Sequence, residues 1–335
     1  GDPVPGSGPG PGRFPRGALR GARQTPPFRY TPAMSVPLVY HPSYSFPFPG
    51  RHRFPMEKFR LLHERLRDGG VAGAANLHRP GRARPALLSL AHCPEYLDRF
   101  LGNRLGEREA KRMGLPWSED LVRRTCIAPM GTLLTAQLAL KHGIACHLAG
   151  GTHHAHYDFG SGFCILNDLA ITARALRAGG LVKRVLIFDC DVHQGDGTAA
   201  ILAGDPELFT CSIHCEKNFP TRKSRSDLDV GLPVGLEDDG YLAVVEETLS
   251  DLLRQLQPDL VLYDAGVDVY AGDPLGRLAV SLTGLAERER QVLTLCREHG
   301  VPVATVIGGG YDDDRPALAR RHALVVEAAH QLWRQ

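Results

Sequence analysis

The chain predicts an α/β fold of three layers, with helices on both faces of a central, mostly parallel sheet. Two observations carry this expectation. From residue 144 onward, short apolar runs alternate with helix-period segments, which is the pattern of βαβ units. The apolar runs, RVLIFDCD and VPVATVIGGG among them, are continuous rather than alternating, as strands covered on both faces require.

Taken in order, VPLVY (Val36–Tyr40) reads as a first strand, and Pro55 to Arg67 as a helix stopped by Gly69 and Gly70. Short helical pieces follow at Glu95–Leu101 and Glu107–Arg112. Ser118, ahead of Glu119 and Asp120, reads as a helix cap. PMGTLLTAQLALKHG reads as a helix that begins at Pro129 and ends at Gly143. The alternation then starts with strand IACHLAG and a helix over Ile165–Ala178, closed by Gly179-Gly180. Strand RVLIFDCD, a short helix at Gly197–Leu202, strand LFTCSIH and a helix at Gly240–Gln255 come next. Strand DLVLYDAG, a helix at Leu285–Glu298, strand VPVATVIGGG and a last helix at Pro316–Trp333 complete the series.

Residues 1–33 differ from the rest. They are Gly- and Pro-rich, carry Arg13, Arg16, Arg20, Arg23 and Arg29, and hold Asp2 as the only acid before Glu57. Such a composition builds no core and predicts a disordered extension, with Met34 as the natural start of one catalytic domain over residues 34–335. An organelle transit segment is the competing reading, because the stretch is Arg-rich and acid-poor.

Composition narrows the function classes. The chain has 335 residues, is 43% apolar and carries a net charge of only +2. That is ample for a core and gives no global field directed at nucleic acid, so no specific nucleic-acid binding is expected. None of the eight cysteines forms a C-x-x-C pair, which speaks against thiol zinc fingers and disulfide scaffolds. Buried, reduced thiols in the cytoplasm are the reading that follows. No apolar run is long enough to span a membrane.

Polar residues gather just after the predicted strands, where open parallel sheets bind ligands. Asp189-Cys-Asp191-Val-His193-Gln-Gly-Asp196 follows one strand and Asp268 another. Buried acids this close need a partner or a metal. Asp191 and His193, two apart, project the same way in an extended segment. With Asp268 they would make a three-ligand site with an open fourth position, the arrangement of catalytic zinc. A hydrogen-bonded loop capping the next helix is the alternative. His153-His154 reads either as a second part of that site, bent by the glycines around it, or as a pair of surface histidines. Tyr311, after three glycines, reads either as a phenol placed over a ligand or as a cover for the sheet edge.

Four segments together, AGGTHHA…SGFCILND, DCDVHQGDG, YDAGVDVYAGDPLGRLAVS and IGGGY, resemble the successive motifs of zinc-dependent histone deacetylases, in the same order, over residues 36–335. The resemblance implies the arginase–deacetylase fold, with a sheet of about eight strands. It implies zinc on Asp191, His193 and Asp268. It gives His153 and His154 catalytic roles, with Asp189 and Asp196 orienting them and Tyr311 polarising the substrate carbonyl. Gly162, Phe163 and Gly309 match the substrate-binding wall. A structural potassium ion is implied at Asp189, Asp191, His193, Ser212 and Ile213. The implied substrate is an acylated lysine peptide or protein, or a small acylated amine such as an acetylpolyamine.

The departures are informative. Gln194 stands where many members carry a second histidine and, with AGDPLGRLAVS, resembles the class IV branch and its bacterial relatives. Thr152 replaces the tryptophan of members with GGWHH. Gly195 and Tyr270 stand where arginase relatives carry bridging carboxylates, so a mononuclear site is implied.

Overall fold

The computed structural model describes residues 35–50 and 52–335; the extension expected over residues 1–33 and its boundary at Met34 lie outside them. The first part of the chain forms β1 (Leu38–Val39), α1 (Lys58–Asp68), β2 (Leu77–His78), α2 (Pro85–Leu88), α3 (Pro94–Leu101), α4 (Glu107–Met113) and α5 (Glu119–His142). Then come β3 (Ile144–His147), α6 (Asp168–Ala178), β4 (Val185–Asp189), α7 (Asp196–Leu202), β5 (Leu208–Cys215) and β6 (Leu228–Leu232). The chain continues through α8 (Asp238–Leu256), β7 (Leu260–Asp264), α9 (Leu282–Glu298) and β8 (Val303–Val306) to α10 (Arg315–Trp333).

The eight strands form one sheet in the order β2-β1-β3-β8-β7-β4-β5-β6, and every pairing is parallel. Helices α1, α10, α9 and α8 pack side by side in one layer, and α5, α6 and α7 in the other. Every residue of β3, β4, β7 and β8 is buried. A buried Leu, Ile, Val or Phe stabilises the fold by roughly 1.5–3 kcal/mol over its exposed state. These inner strands therefore anchor the frame on which the loops at their carboxyl ends are fixed.

Two strands escape the sequence reading. β6 has a mixed exposure pattern at the sheet edge, so it lacks the continuous apolar run of an inner strand. β2 is only two residues long. The sheet is also parallel throughout rather than mostly so.

The helix expected to start at Pro129 is longer. α5 begins behind Ser118, whose side chain accepts from the Leu121 N–H, and runs 24 residues straight through Pro129. An interior proline removes one backbone bond and costs about 3 kcal/mol or more. Burial of Leu121, Cys126, Ile127, Ala136 and Ala139 along the same helix outweighs it. α6 starts at Asp168 rather than Ile165, because Asn167 caps it by accepting from the Ala170 N–H.

Candidate active site

Strands β3, β8, β7 and β4 are neighbours in the sheet, so the loops that leave their carboxyl ends meet. The register pairs Asp189 with Asp264 and Ser212 across β4, β7 and β5. The four segments that carry His153-His154, Tyr311, Asp268 and Asp191-His193 are thereby brought to one edge.

The loop after β4 is pinned by its own carboxylates. Asp189 Oδ1 accepts from Asp191 N at 3.0 Å, and Asp191 Oδ1 accepts from His193 N at 3.0 Å. Asp268 Oδ1 accepts from Val192 N at 2.9 Å, and Gly309 N donates to Asp191 Oδ2 at 2.6 Å. His193 Nδ1 then lies 3.0 Å from Asp191 Oδ1 and 3.1 Å from Asp268 Oδ2. Asp268 Oδ2 is buried and faces His193 Nδ1 without a hydrogen bond of good geometry. Ligands about 2.0–2.2 Å from a tetrahedral cation sit about 3.3 Å apart. The three groups, whose candidate ligand atoms all lie within 4.8 Å of one another, therefore fit one metal ion. A side chain at Gly309 would place its Cβ 2.1 Å from Asp268 Oδ2 and 2.5 Å from Asp191 Oδ2, so only glycine lets the tyrosine loop close over the ligands.

Electrostatics agree with a cation site. Burial alone would lower the His193 pKa, but Asp268 and Asp191 outweigh it and push it up to about 10. The surrounding carboxylates thus favour positive charge here, which a metal ion would supply in place of the proton.

The paired histidines stand beside this cluster. Gly150 and Gly151, with φ of 86° and 82°, turn the chain so that both rings face one way. Asp168 clamps the turn by accepting from Thr152 N at 2.8 Å and Gly151 N at 3.2 Å. The ring centroids of His153 and His154 are 4.1 Å apart. His153 Nδ1 lies 2.7 Å from Asp189 Oδ2, and His154 Nδ1 lies 2.6 Å from Asp196 Oδ1. Burial opposes protonation of both rings. At His153 the charges of Asp189, Asp191 and Asp264 overcome it and raise the pKa well above the ordinary value. At His154 burial and the neighbouring His153 win, and the pKa falls to about 4. The pKa values of two adjacent imidazoles are thus pushed in opposite directions.

Tyr311 covers the same cavity with Phe163, their ring centroids 5.9 Å apart. Asp273 Oδ2 accepts from Tyr311 N at 2.7 Å. Burial, reinforced by Asp268 and Asp191, raises the phenol pKa well above its usual value, so the hydroxyl stays a donor. Gly162 lines the same cavity: a Cβ there would lie 2.6 Å from His154 Cδ2 and 3.0 Å from Phe219. Gly309 lines the cavity too. Its N–H goes to Asp191 and its carbonyl accepts from Val267 N at 2.8 Å, so it fastens the loops as well as lining the wall. Ser212 and Ile213 lie on β5 beside Asp189, with Ser212 Oγ 3.0 Å from His214 Nδ1.

Several site residues escaped the sequence reading. Lys58 is buried and donates to Gly308 O at 3.1 Å and Gly310 O at 3.4 Å, fixing the loop that carries Tyr311. Its signal is a charge in the buried stripe of α1 with Leu62 and Leu66. Asp264, with both carboxylate oxygens unpartnered, is buried beside His153 and Asp189; burial and Asp189 raise its pKa well above the ordinary range. Phe219 packs on His154 at 4.8 Å.

The comparisons with known proteins bear directly on this arrangement. The family model described as histone deacetylase domain matches residues 52–329. The chain belongs to the histone deacetylase family. As a member it is a metal-dependent hydrolase, and its buried Asp/His clusters provide places for the metal. An uncharacterized protein of Picosynechococcus sp. is 54% identical over 300 residues, covering 90% of this chain and 100% of that protein. Histone deacetylase 2 of Arabidopsis thaliana is 29% identical over 84% of this chain and 76% of its own length. Acetoin utilization protein AcuC of Staphylococcus aureus is 31% identical over 78% of this chain and 73% of its own length. The solved structure titled HDA15 HD domain superposes with a TM-score of 0.73 at 22% identity, covering 89% of each chain, and shares the fold. Among the described residues of this deacetylase-family chain, no helix is long and apolar enough to cross a membrane. All eight cysteines are free, and seven of them are buried.

Proposed function

We propose that this chain hydrolyses the amide of N-acyl-lysine side chains in proteins, with zinc held by Asp191, His193 and Asp268 and potassium as a structural ion. The observation that carries the reading is the convergence of Asp191, His193 and Asp268, whose candidate ligand atoms all lie within 4.8 Å of one another, with Asp191 and His193 lining one cavity with His154 and Tyr311. Zinc bound there supplies Lewis-acid polarisation of a carbonyl and of a water.

The chain's own residues do the rest. His154, neutral near pH 7 because its pKa is about 4, takes a proton from the attacking water at Nε2 and passes it to the leaving amine. Asp196 on its Nδ1 holds the ring in register and steadies the imidazolium. His153, held by Asp189, tunes the charge beside His154. The Tyr311 hydroxyl donates to the acyl oxygen as charge builds there. Gly162 and Phe163 wall the channel for the acyl-lysine stem. Potassium would sit on carbonyls of Asp189, Asp191, His193 and Ile213 and on the Ser212 hydroxyl. The class IV-like reading rests on Gln194, whose amide donates to Ser224 O at 2.8 Å and Asp229 Oδ1 at 2.7 Å. Gln194 thus ties down the loop after β5.

The test is turnover of an acetyl-lysine peptide by metal-stripped protein after addition of zinc, iron(II) or cobalt, beside acetylated polyamines. Peptide turnover restored by zinc is the expected result. Turnover confined to polyamines would replace the lysine reading with the small-amine one.

A further inference from the structure

Behind the turn that aims the paired histidines runs a buried chain of hydrogen bonds that leads away from the site. Its near end is Asp168, the first residue of α6, which accepts from Gly151 N and Thr152 N. Asp168 Oδ2 also lies 2.5 Å from Thr132 Oγ1 on α5. Thr132 Oγ1 lies 3.0 Å from His147 Nδ1 at the end of β3, and His147 Nε2 lies 2.7 Å from the Tyr44 hydroxyl. All four side chains are fully buried, and none of them lines the site cavity. Two glycines leave the room for this chain. A Cβ on Gly131 would collide with His147 Nε2 and the Tyr44 hydroxyl, and one on Gly150 would lie 2.7 Å from Asp168 Oδ2 and 2.9 Å from His147 Nδ1.

The chemistry of the groups fixes the direction of each proton. A carboxylate only accepts, so the Thr132 hydroxyl gives its one proton to Asp168 rather than to Ala128 O, 3.5 Å away. Thr132 Oγ1 is then the acceptor for His147 Nδ1–H, which leaves Nε2 bare to accept from the Tyr44 hydroxyl. Burial lowers the His147 pKa to about 3, so the ring stays neutral and keeps both roles. Tyr44 is fastened in turn by Arg124, whose Nε donates to Tyr44 O at 3.2 Å. Three donors aligned in one direction polarise one another, and they hold the Asp168 carboxylate turned toward the Gly151 and Thr152 N–H groups.

From this we propose that Asp168 is a positioning residue for His153 and His154, and that the Tyr44–His147–Thr132 relay sets its carboxylate from outside the cavity. The proposal deepens the lysine-deacylase reading and rests on it. His154 takes a proton from the attacking water only within hydrogen-bond reach, and a misplacement of about 1 Å caused far from the chemistry can cost about 10²-fold in rate.

The experiment removes one hydroxyl at a time. Thr132→Val keeps the side chain's shape and deletes the link to Asp168, and Tyr44→Phe deletes the far end of the relay. Each should lower kcat for an acyl-lysine peptide by about tenfold, with KM and bound metal near those of wild type and a cooperative melt showing that the variant folds. Thr132→Ser should restore most of the rate. Because both changes cut one chain, the double variant should lose no more than the worse single one. Hydrogen exchange over residues 149–156, read by mass spectrometry, should quicken in Thr132→Val and Tyr44→Phe and return toward wild type in Thr132→Ser. A kcat within about twofold of wild type in Thr132→Val overturns the proposal, as does an equal loss in Thr132→Ser or losses that add in the double variant. Should Thr132→Val fail to fold, Tyr44→Phe decides by the same twofold criterion. If the wild type turns over no peptide, the deacylase reading fails, and unchanged exchange in both variants still overturns the relay.

Discussion

One carboxylate, Asp196, serves two histidines: Oδ1 lies 2.6 Å from His154 Nδ1 and Oδ2 lies 3.0 Å from His156 Nε2. Its pKa is driven well down by those hydrogen bonds against the opposing effect of burial. Asp196 is therefore a fixed anion that sets which nitrogen of His154 faces the cavity. Asp196→Asn should lower kcat by about 10–100-fold, the usual cost of removing such a partner. Steady-state kinetics on an acyl-lysine peptide measure it, and a kcat within about twofold of wild type would remove Asp196 from the mechanism.

In the proposed mechanism Tyr311 donates where charge develops, and a single donor of this kind is worth about 10²–10³ in rate. Tyr311→Phe should lower kcat by that factor while the metal content stays that of wild type. An unchanged kcat, with metal measured in the same sample, would contradict the donor role.

The ligand cluster predicts a stability linkage to metal. A metal at 100 times its dissociation constant adds about 2.7 kcal/mol to a fold it binds selectively. Stripping the protein with a chelator should lower its melting temperature, and zinc should restore it. Asp268→Asn should abolish that response. A variant that still shows the full zinc-induced rise would place the metal elsewhere.

Arg288 is fully buried and joins the two ligand loops from beneath. Its Nη1 donates to Gly266 O at 2.8 Å and Cys190 O at 3.3 Å, and Nη2 pairs with Glu289. Glu289 also accepts from Tyr263 Oη at 2.7 Å. Breaking a buried pair by removing one partner costs about 3–5 kcal/mol, because the other charge is stranded. Denaturant unfolding of Arg288→Met should register that loss. The double variant Arg288→Met, Glu289→Gln should lose less than the single one; a larger loss would reject the stranded-charge account.

His92 makes a set of bonds open only to the neutral ring. Nδ1 donates to His156 O at 2.9 Å, and Nε2 accepts from Asn167 N at 2.8 Å. Burial lowers its pKa to about 4 from 6.5. Between those values the unfolded chain binds the extra proton, so this stability is present above about pH 6.5 and lost as pH falls toward 4. The stability advantage of wild type over His92→Gln should therefore shrink by about 2 kcal/mol between pH 7.5 and 5. A pH-independent difference would refute the assignment.

The inner strands β3, β4, β7 and β8 were legible because continuous apolar runs such as VLIFD and LVLYD have one comfortable place, a sheet covered on both faces. The candidate metal ligands and the paired histidines drew notice in the sequence because polar residues at strand ends stand out against those runs. The edge strand β6 and the passage of α5 through Pro129 were not, since each breaks a local rule that burial elsewhere repays.

By itself the sequence determined the α/β alternation, the family motifs and the identity of the groups with chemistry to offer. Tertiary structure alone decided which of them act together. Asp264 reads as one more strand residue until β7 sets it in register with Asp189. Lys58, Arg124 and Arg288 read as surface charges of helices until packing buries them. The reason is that solvation and pairing depend on distance in space, which local patterning along the chain does not encode.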